Sequence, residues 1–311
     1  MTVFSVIFRE NIPFKTRIYG VLNFVSIVYV ITITLSTTFV TLFYVVRLSY
    51  RGSDVLILFH RILICYIITM VTSHYITCIV HGARNKPKVN YSKFNMADVQ
   101  TIQSANSGLY KRQNVFTSNS RDELDTHMDQ YGYCITCNKT VPPRTHHCFL
   151  CEKCVIKRDH HCFFMGTCIG RENHQCFIFF SLFMGIATMY GFILIVHHFH
   201  LHFGVTFNGP LSILTFFVNT LSSILENKSP STYFLGLFIQ MYSCLGATIF
   251  SFGFLSKQLC NVSKGQTPFE AKCGITTFSK ETCGQNFRDV FDNNWIMSMV
   301  LPGFELSMII R

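Results

Sequence analysis

Seven cysteines and four histidines fall between Cys134 and Cys168, in the run CITCNKTVPPRTHHCFLCEKCVIKRDHHCFFMGTC. The spacing reads Cys134-x2-Cys137-x9-His147-Cys148-x2-Cys151-x2-Cys154-x4-Asp159-His160-His161-Cys162-x5-Cys168. Short Cys-x2-Cys knuckles interleaved with histidine are the spacing of tetrahedral zinc, and each such ion takes four ligands. Two ions therefore use eight of the eleven candidates, and three remain for other work. The quartet Asp159, His160, His161 and Cys162 is where surplus and chemistry coincide. One reading makes all four structural, as ligands and a surface carboxylate. The other makes Cys162 a nucleophile, His160 its base and Asp159 the group that orients the imidazole. A thiol reacts as its thiolate, and a paired imidazole supplies the means at neutral pH.

The elements that must position this block are membrane helices. The chain has 311 residues, is 49% hydrophobic and carries 14% charged residues, against roughly 25% charged in an ordinary globular protein. About 20 apolar residues cross a bilayer, and four runs qualify: 20–46, 62–80, 176–196 and 233–255. The run Leu211 to Leu225 is interrupted by Ser, Thr and Asn and reads as an interfacial or lumenal helix. The fold class expected is an all-α integral membrane protein with four transmembrane helices. A small cysteine-rich domain with two zinc sites lies between spans two and three.

Charge gives the orientation. The net charge is +10, a balance that suggests nucleic acid until its distribution is followed. Thirteen Lys/Arg lie between His81 and Gln175, six follow Leu255 and three precede the first span, so 22 of 26 fall on one side of a four-span layout. The rest are Arg47, Arg51, Arg61 and Lys228. The positive-inside rule makes the richer side the cytosol, and nucleic acid is not needed to explain the basicity. A reducing cytosol also suits thiols spaced for metal rather than for disulfides. The expected organisation is a cytosolic N-terminus (1–19), spans one and two with a short lumenal loop (20–80), a poorly ordered cytosolic linker (81–130), the cysteine-rich domain (131–175), spans three and four with a lumenal loop (176–255), and a cytosolic tail (256–311). The first span is expected to act as its own signal anchor. Pro142 and Pro143 argue against a regular helix through the block, which is expected as loops and short hairpins held by metal.

At this point the residues resemble the DHHC protein S-acyltransferases, or palmitoyltransferases. The match runs from Cys134 through Phe177 and includes Cys168, Asn173 and Phe177. Two elements after the fourth span are also similar to the family: Thr267-Pro268-Phe269-Glu270, and Asn286 to Phe291 followed by Leu301-Pro302. The resemblance implies interleaved zinc sites, Cys134, Cys137, His147 and Cys154 for one ion and Cys148, Cys151, His161 and Cys168 for the other. Asp159, His160 and Cys162 are then left for chemistry, and His146 for a surface or second-layer role. It implies a two-step reaction in which Cys162 takes a long-chain acyl group from acyl-CoA, palmitoyl-CoA being the type, and passes it to a cysteine of a membrane-associated protein. Lys153, Lys157, Arg158 and Arg171 are the candidates for CoA phosphates. The partners implied are the bilayer, acyl-CoA and proteins with accessible cysteines, at an endomembrane of the Golgi or endoplasmic reticulum.

The chain departs from the family pattern at Phe163-Phe164, where Pro-Trp is usual, at Thr167 in place of Asn, at Pro268 in place of Thr, and at Asp292 in place of Gly. None removes a ligand or a reacting group, but they leave room for a catalytically silent membrane scaffold of the same family. A zinc-finger adaptor or ubiquitin-type ligase domain is a further rival, and it leaves Asp159 and Cys162 unexplained. Gly185, Ala187 and Gly191 in the third span read as packing positions. His197, His198, His200 and His202 read as interfacial residues, and Cys260 as an inert or self-acylated thiol.

Overall fold

The computed structural model describes residues 14–84, 133–134, 136–226, 230–291 and 293–304. The expected linker, from residue 85 onward, and Asp292 lie outside the described residues. Among these, four helices are long and apolar enough to cross a membrane. Helix α1 (Phe14–Val40) runs through a π-helical turn (Thr41–Val45) into a last α turn (Val46–Ser49). Helix α2 is Asp54–Arg84 and α3 is His174–Phe203. After α4 (Pro210–Leu225) comes the fourth span, α5 (Thr232–Ser263). All four are longer than the apolar runs that marked them. A helix of 31 residues such as α2 is roughly 46 Å long at 1.5 Å per residue, beyond the ~30 Å of hydrocarbon. Hydropathy reports only the stretch in lipid, whereas the backbone ladder continues into the polar ends.

The chain forms two compact units. The first comprises Met1–Val28, His74–Ile178 and Lys257–Arg311; the second comprises Tyr29–Ser73 and Phe179–Ser256. The second unit is a membrane bundle. Val45, Val46, Leu194, Ile195, Phe199, Leu237 and Met241 form its buried core. Large apolar residues point outward, among them Leu35 at 64% and Ile249 at 66% exposed, as expected where lipid is the solvent. Helix α4 packs Phe216 against Phe199, Phe234 and Phe238 and leaves Leu211 and Leu225 exposed, the two-faced pattern of an interfacial helix. A Cβ on Gly185 would stand 3.0 Å from the Phe252 ring, and one on Gly191 would stand 2.7 Å from Thr37 Cγ2. Both glycines are therefore close-packing positions. Ala187 and Gly191 also line a cavity with Thr34, Thr37 and Thr41 of α1. His198 is buried, with Nδ1 3.0 Å from Ser49 Oγ and Nε2 2.8 Å from Tyr233 Oη.

The first unit carries the cysteine-rich block as three antiparallel two-stranded hairpins: β1 (Tyr133–Cys134) with β2 (Lys139–Thr140), β3 (Thr145–Cys148) with β4 (Lys153–Ile156), and β5 (His160–Cys162) with β6 (Thr167–Ile169). The turns place Asn138, Glu152 and Gly166 at positive φ, 50°, 50° and 62°. Among the described residues, Cys148, Val155 and Cys168 form a small cluster in the block, flanked by Leu150 and Cys151, and Met165 and Ile169 are buried as well. Few apolar side chains are buried for three short hairpins, which fits a domain stabilised by metal.

This platform docks on the end of α2. The Asn173 side chain, fully buried, donates to Cys78 O and Cys168 O, both at 3.1 Å, and accepts from Gly170 N at 2.9 Å. Lys153 Nζ donates to Gly82 O and Ala83 O, satisfying carbonyls that the helix terminus leaves open. Gly82 is required here, since a Cβ would lie 2.6 Å from Thr167 Cγ2.

After α5 the tail forms three short helices, α6 (Pro268–Cys273), α7 (Cys283–Arg288) and α8 (Trp295–Val300). Thr267-Pro268-Phe269-Glu270 is a capping box: Thr267 Oγ1 accepts from Glu270 N, and Glu270 Oε2 accepts from Thr267 N. Pro268 sits at the first helical position, where its missing N–H is harmless. Asn286 donates to Ser263 O at 2.9 Å and accepts from Lys280 N at 2.8 Å, tying the tail to the end of α5.

Candidate active site and metal centres

The hairpins bring the ligand candidates together by register. His147 faces Cys154 across β3 and β4, and His161 faces Cys168 across β5 and β6. Two clusters result, Cys134, Cys137, His147 and Cys154, and Cys148, Cys151, His161 and Cys168. In each, the ligand atoms lie within 4.8 Å of one another. In the first, His147 Nδ1 is 3.7, 3.3 and 3.9 Å from the sulfurs of Cys134, Cys137 and Cys154. In the second, His161 Nδ1 is 3.6, 3.3 and 3.7 Å from those of Cys148, Cys151 and Cys168. Zn–S bonds near 2.3 Å and Zn–N bonds near 2.0 Å put ligand atoms roughly 3.3–3.8 Å apart along the edges of a tetrahedron, so both donor sets fit zinc. The clusters interleave, because His147 and Cys148 are neighbours that serve different sites. The far nitrogen of His161, Nε2, lies 3.1 Å from Asn23 Oδ1 on α1. Such a bond fixes the tautomer of a ligating histidine.

The expected catalytic residues lie at the second cluster. His160 and Cys162 flank the ligand His161 on β5, and the antiparallel pairing sets Cys162 opposite Thr167. Asp159 Oδ2 is 2.7 Å from His160 Nδ1, with the carboxylate side chain 1% and the imidazole 24% exposed. Burial pulls the His160 imidazole down, but its hydrogen bond to Asp159 and the influence of the Cys162 sulfur outweigh this and carry it up to about 9. Burial works against the Asp159 carboxylate too, yet its bond to His160 and its other partners hold its pKa below the ordinary value. The arrangement is an imidazole hydrogen-bonded to a buried carboxylate, with the Cys162 thiol two residues further along β5.

The loop after Cys162 is pinned without proline. Met165 N and Gly166 N donate to Cys162 O and Phe163 O at 3.2 and 3.3 Å, Tyr75 Oη donates to Phe164 O at 3.0 Å, and Phe163 stacks on Tyr19. His146 is buried, its ring 4.6 Å from that of Phe269. That makes it a packing residue of the α6 interface and not a surface one. Of the four basic candidates, Lys153 is engaged on the end of α2 and Arg171 is exposed. Lys157 is partly buried, and burial lowers its pKa.

Several residues at the site were not singled out from sequence. Arg144 forks onto Glu270, with Nε to Oε1 at 2.7 Å and Nη2 to Oε2 at 2.6 Å, also donates to Gly265 O at 3.1 Å, and lies over the Phe278 ring. Gln258 of α5 donates to Asp159 Oδ2 at 2.7 Å. Asn23 is a polar residue inside an apolar run, and that is the signal by which sequence could have flagged it; Gln258 lies just past the fourth run, within the same helix.

These features define a multi-span membrane protein bearing a double Cys3His platform with a thiol–imidazole–carboxylate set on one hairpin. Residues 127–273 match the family model described as DHHC palmitoyltransferase. The chain is similar to a curated Danio rerio protein named Palmitoyltransferase ZDHHC22, 34% identical over 191 residues, which is 58% of this chain and 61% of that protein. Rattus norvegicus and Mus musculus proteins of the same name are each 29% identical over 131 residues, 42% of this chain and 49% of theirs. The chain thus spans about half to three-fifths of the length of the curated relatives it matches.

Proposed function

We propose that this chain is a protein-cysteine S-acyltransferase that takes a long-chain acyl group from acyl-CoA onto Cys162 and delivers it to cysteines of membrane-associated proteins. The observation that carries this reading is the buried Asp159–His160 pair, hydrogen-bonded at 2.7 Å, with Cys162 two residues on. With Nδ1 held by Asp159, Nε2 of His160 is the nitrogen that handles the thiol proton. The Cys162 thiolate attacks the thioester carbonyl carbon. A new C–S bond forms as the bond to the CoA sulfur breaks, and CoA leaves as its thiol with the proton from His160. The substrate cysteine then gives its proton to His160 and attacks the acyl carbon, and Cys162 is released. One hard encounter becomes two easier ones.

Zinc at the two clusters would be structural: it would fix the hairpins and hence the backbone at Cys162. Lys157, Arg158 and Arg171 are the proposed contacts for CoA phosphates; the ammonium of Lys153 already lies on Gly82 O. The acyl chain is proposed to lie among the membrane spans. The charge distribution supports cytosolic termini and a cytosolic zinc platform, at a Golgi or endoplasmic reticulum membrane. A silent scaffold is favoured by one feature, Phe163-Phe164 after the nucleophile.

The test is incubation of the purified chain with a clickable palmitoyl-CoA, beside Cys162→Ala. Hydroxylamine-labile label on the wild type that vanishes in Cys162→Ala supports the transferase. A folded, zinc-loaded chain that takes no label contradicts it and leaves the scaffold.

A further inference from the structure

The catalytic carboxylate is held from the fourth membrane helix. Asp159 carries two contacts on one oxygen: Oδ2 is 2.7 Å from His160 Nδ1 and 2.7 Å from Gln258 Nε2. Its other oxygen, Oδ1, is buried with no hydrogen-bond partner among the described residues. Nothing on Oδ1 therefore fixes the rotation of the carboxylate, and the groups on Oδ2 must. His160 is the group to be oriented and cannot serve as its own reference. That leaves Gln258.

Gln258 is itself fixed. It is 2% exposed, and its Oε1 lies 2.9 Å from His174 Nε2, a nitrogen of a ring that is 6% exposed. A glutamine amide presents an acceptor on one side and donors on the other. The N–H of His174 takes the acceptor side, so the donor side must face Asp159. Flipping the amide would set its oxygen against the carboxylate and its NH2 against the His174 N–H, two buried mismatches. An amide buried at the end of an apolar span is unfavourable unless both its ends are satisfied, as they are here. Pro268 offers no side-chain donor, so the tail cannot take over this task from that position.

We infer that Gln258, with its amide set by His174, is the positioning residue that holds Asp159, and through it His160, in register with Cys162. The inference rests on the acyltransferase reading for its role in turnover, but the geometry it describes also sets the reactivity of Cys162 toward any thiol reagent.

The experiment uses the full chain in detergent with its zinc, comparing the wild type with Gln258→Glu and Gln258→Met, each alone and combined with Asp159→Ala, and with His174→Phe. Three quantities are read: the rate of autoacylation by palmitoyl-CoA, the rate of iodoacetamide alkylation at the Cys162 peptide, and zinc per chain. Both Gln258 variants are expected to retain zinc, to slow autoacylation and alkylation of Cys162 by roughly tenfold or more, and to leave the KM for palmitoyl-CoA in place. His174→Phe is expected to give a smaller loss of the same kind. In the Asp159→Ala background the Gln258 substitutions should change nothing further, since residues acting as one unit are non-additive. Unchanged rates in both Gln258 variants, the same fold loss with Asp159 already removed, or loss of zinc would overturn the inference. If the wild type takes no acyl group but Cys162 alkylation follows the expected pattern, the acyltransferase reading fails and the positioning role stands.

Discussion

At Cys162 the chemistry rests on a contrast in exposure between neighbours. The Asp159 side chain is 1% exposed and that of His160 is 24%, so the proposed orienting group is the more deeply buried of the two, although His160 Nε2 itself is buried. A carboxylate buried this way stays ionised only because its hydrogen bonds favour the charged form. Asp159→Ala and His160→Ala are accordingly expected to lower the autoacylation rate by about a hundredfold or more, while zinc content stays at two per chain. Stopped autoacylation assays with metal analysis on the same samples check both halves. The eleven ligand candidates were legible from sequence, because a Cys-x2-Cys knuckle is a local object, but the division of eight of them into two sites came from the family resemblance and matches the two clusters. Gln258 and Asn23 were not legible, since their partners lie 99 and 138 residues away. Only packing brings such groups together. Arg144 was hidden for the same reason, its partner Glu270 being 126 residues on.

Among the elements, the hairpins supply the site and the helix ends hold the hairpins. Hydropathy located the four spans but understated their lengths, as the backbone ladder runs past the lipid. The hairpins were expected in kind, from prolines and knuckles, but not their pairing. The registers that set His147 beside Cys154 and His161 beside Cys168 emerge only when the strands fold. The tail motif Thr267-Pro268-Phe269-Glu270 turns out to have two uses for one glutamate. Glu270 closes the capping box of α6 and receives the guanidinium of Arg144, whose side chain is 12% exposed against 3% for Glu270. Removing one partner of such a pair strands the other charge. Arg144→Ala is therefore expected to destabilise the first unit by about 3 kcal/mol or more, read as a lowered thermal midpoint in detergent. A conservative Arg144→Lys should recover only part, because an ammonium cannot make the two-pronged contact. Equal midpoints for wild type and Arg144→Ala would show that the fork holds nothing.

For the whole molecule, metal is proposed as the condition of the fold around the site. The three hairpins bury few apolar side chains besides cysteines, chiefly Val155, Met165 and Ile169, so ligand bonds are expected to make up for missing apolar burial. Chelation of the purified chain is expected to release two zinc ions per chain and to expose the stretch around 134–169 to protease. The membrane spans, whose backbones are satisfied internally, should remain helical. Circular dichroism with limited proteolysis separates the two responses. A platform that survives complete chelation would mean that the small apolar core suffices. The same platform places Cys162, the proposed nucleophile, a short distance in sequence from the third span, with α3 following from His174. This suits acyl donors and protein substrates that gather at the bilayer surface.

The central claim is that Cys162 itself carries the acyl group. The most direct measurement is mass spectrometry of the peptide Asp159–Arg171 after a single turnover with palmitoyl-CoA. It should be made without reducing agent and before any acceptor protein is added. The account predicts a palmitoyl thioester on Cys162, lost on hydroxylamine treatment and absent when His160 is replaced by alanine. An adduct found instead on Cys260, Cys273 or Cys283, with Cys162 unmodified, would contradict it.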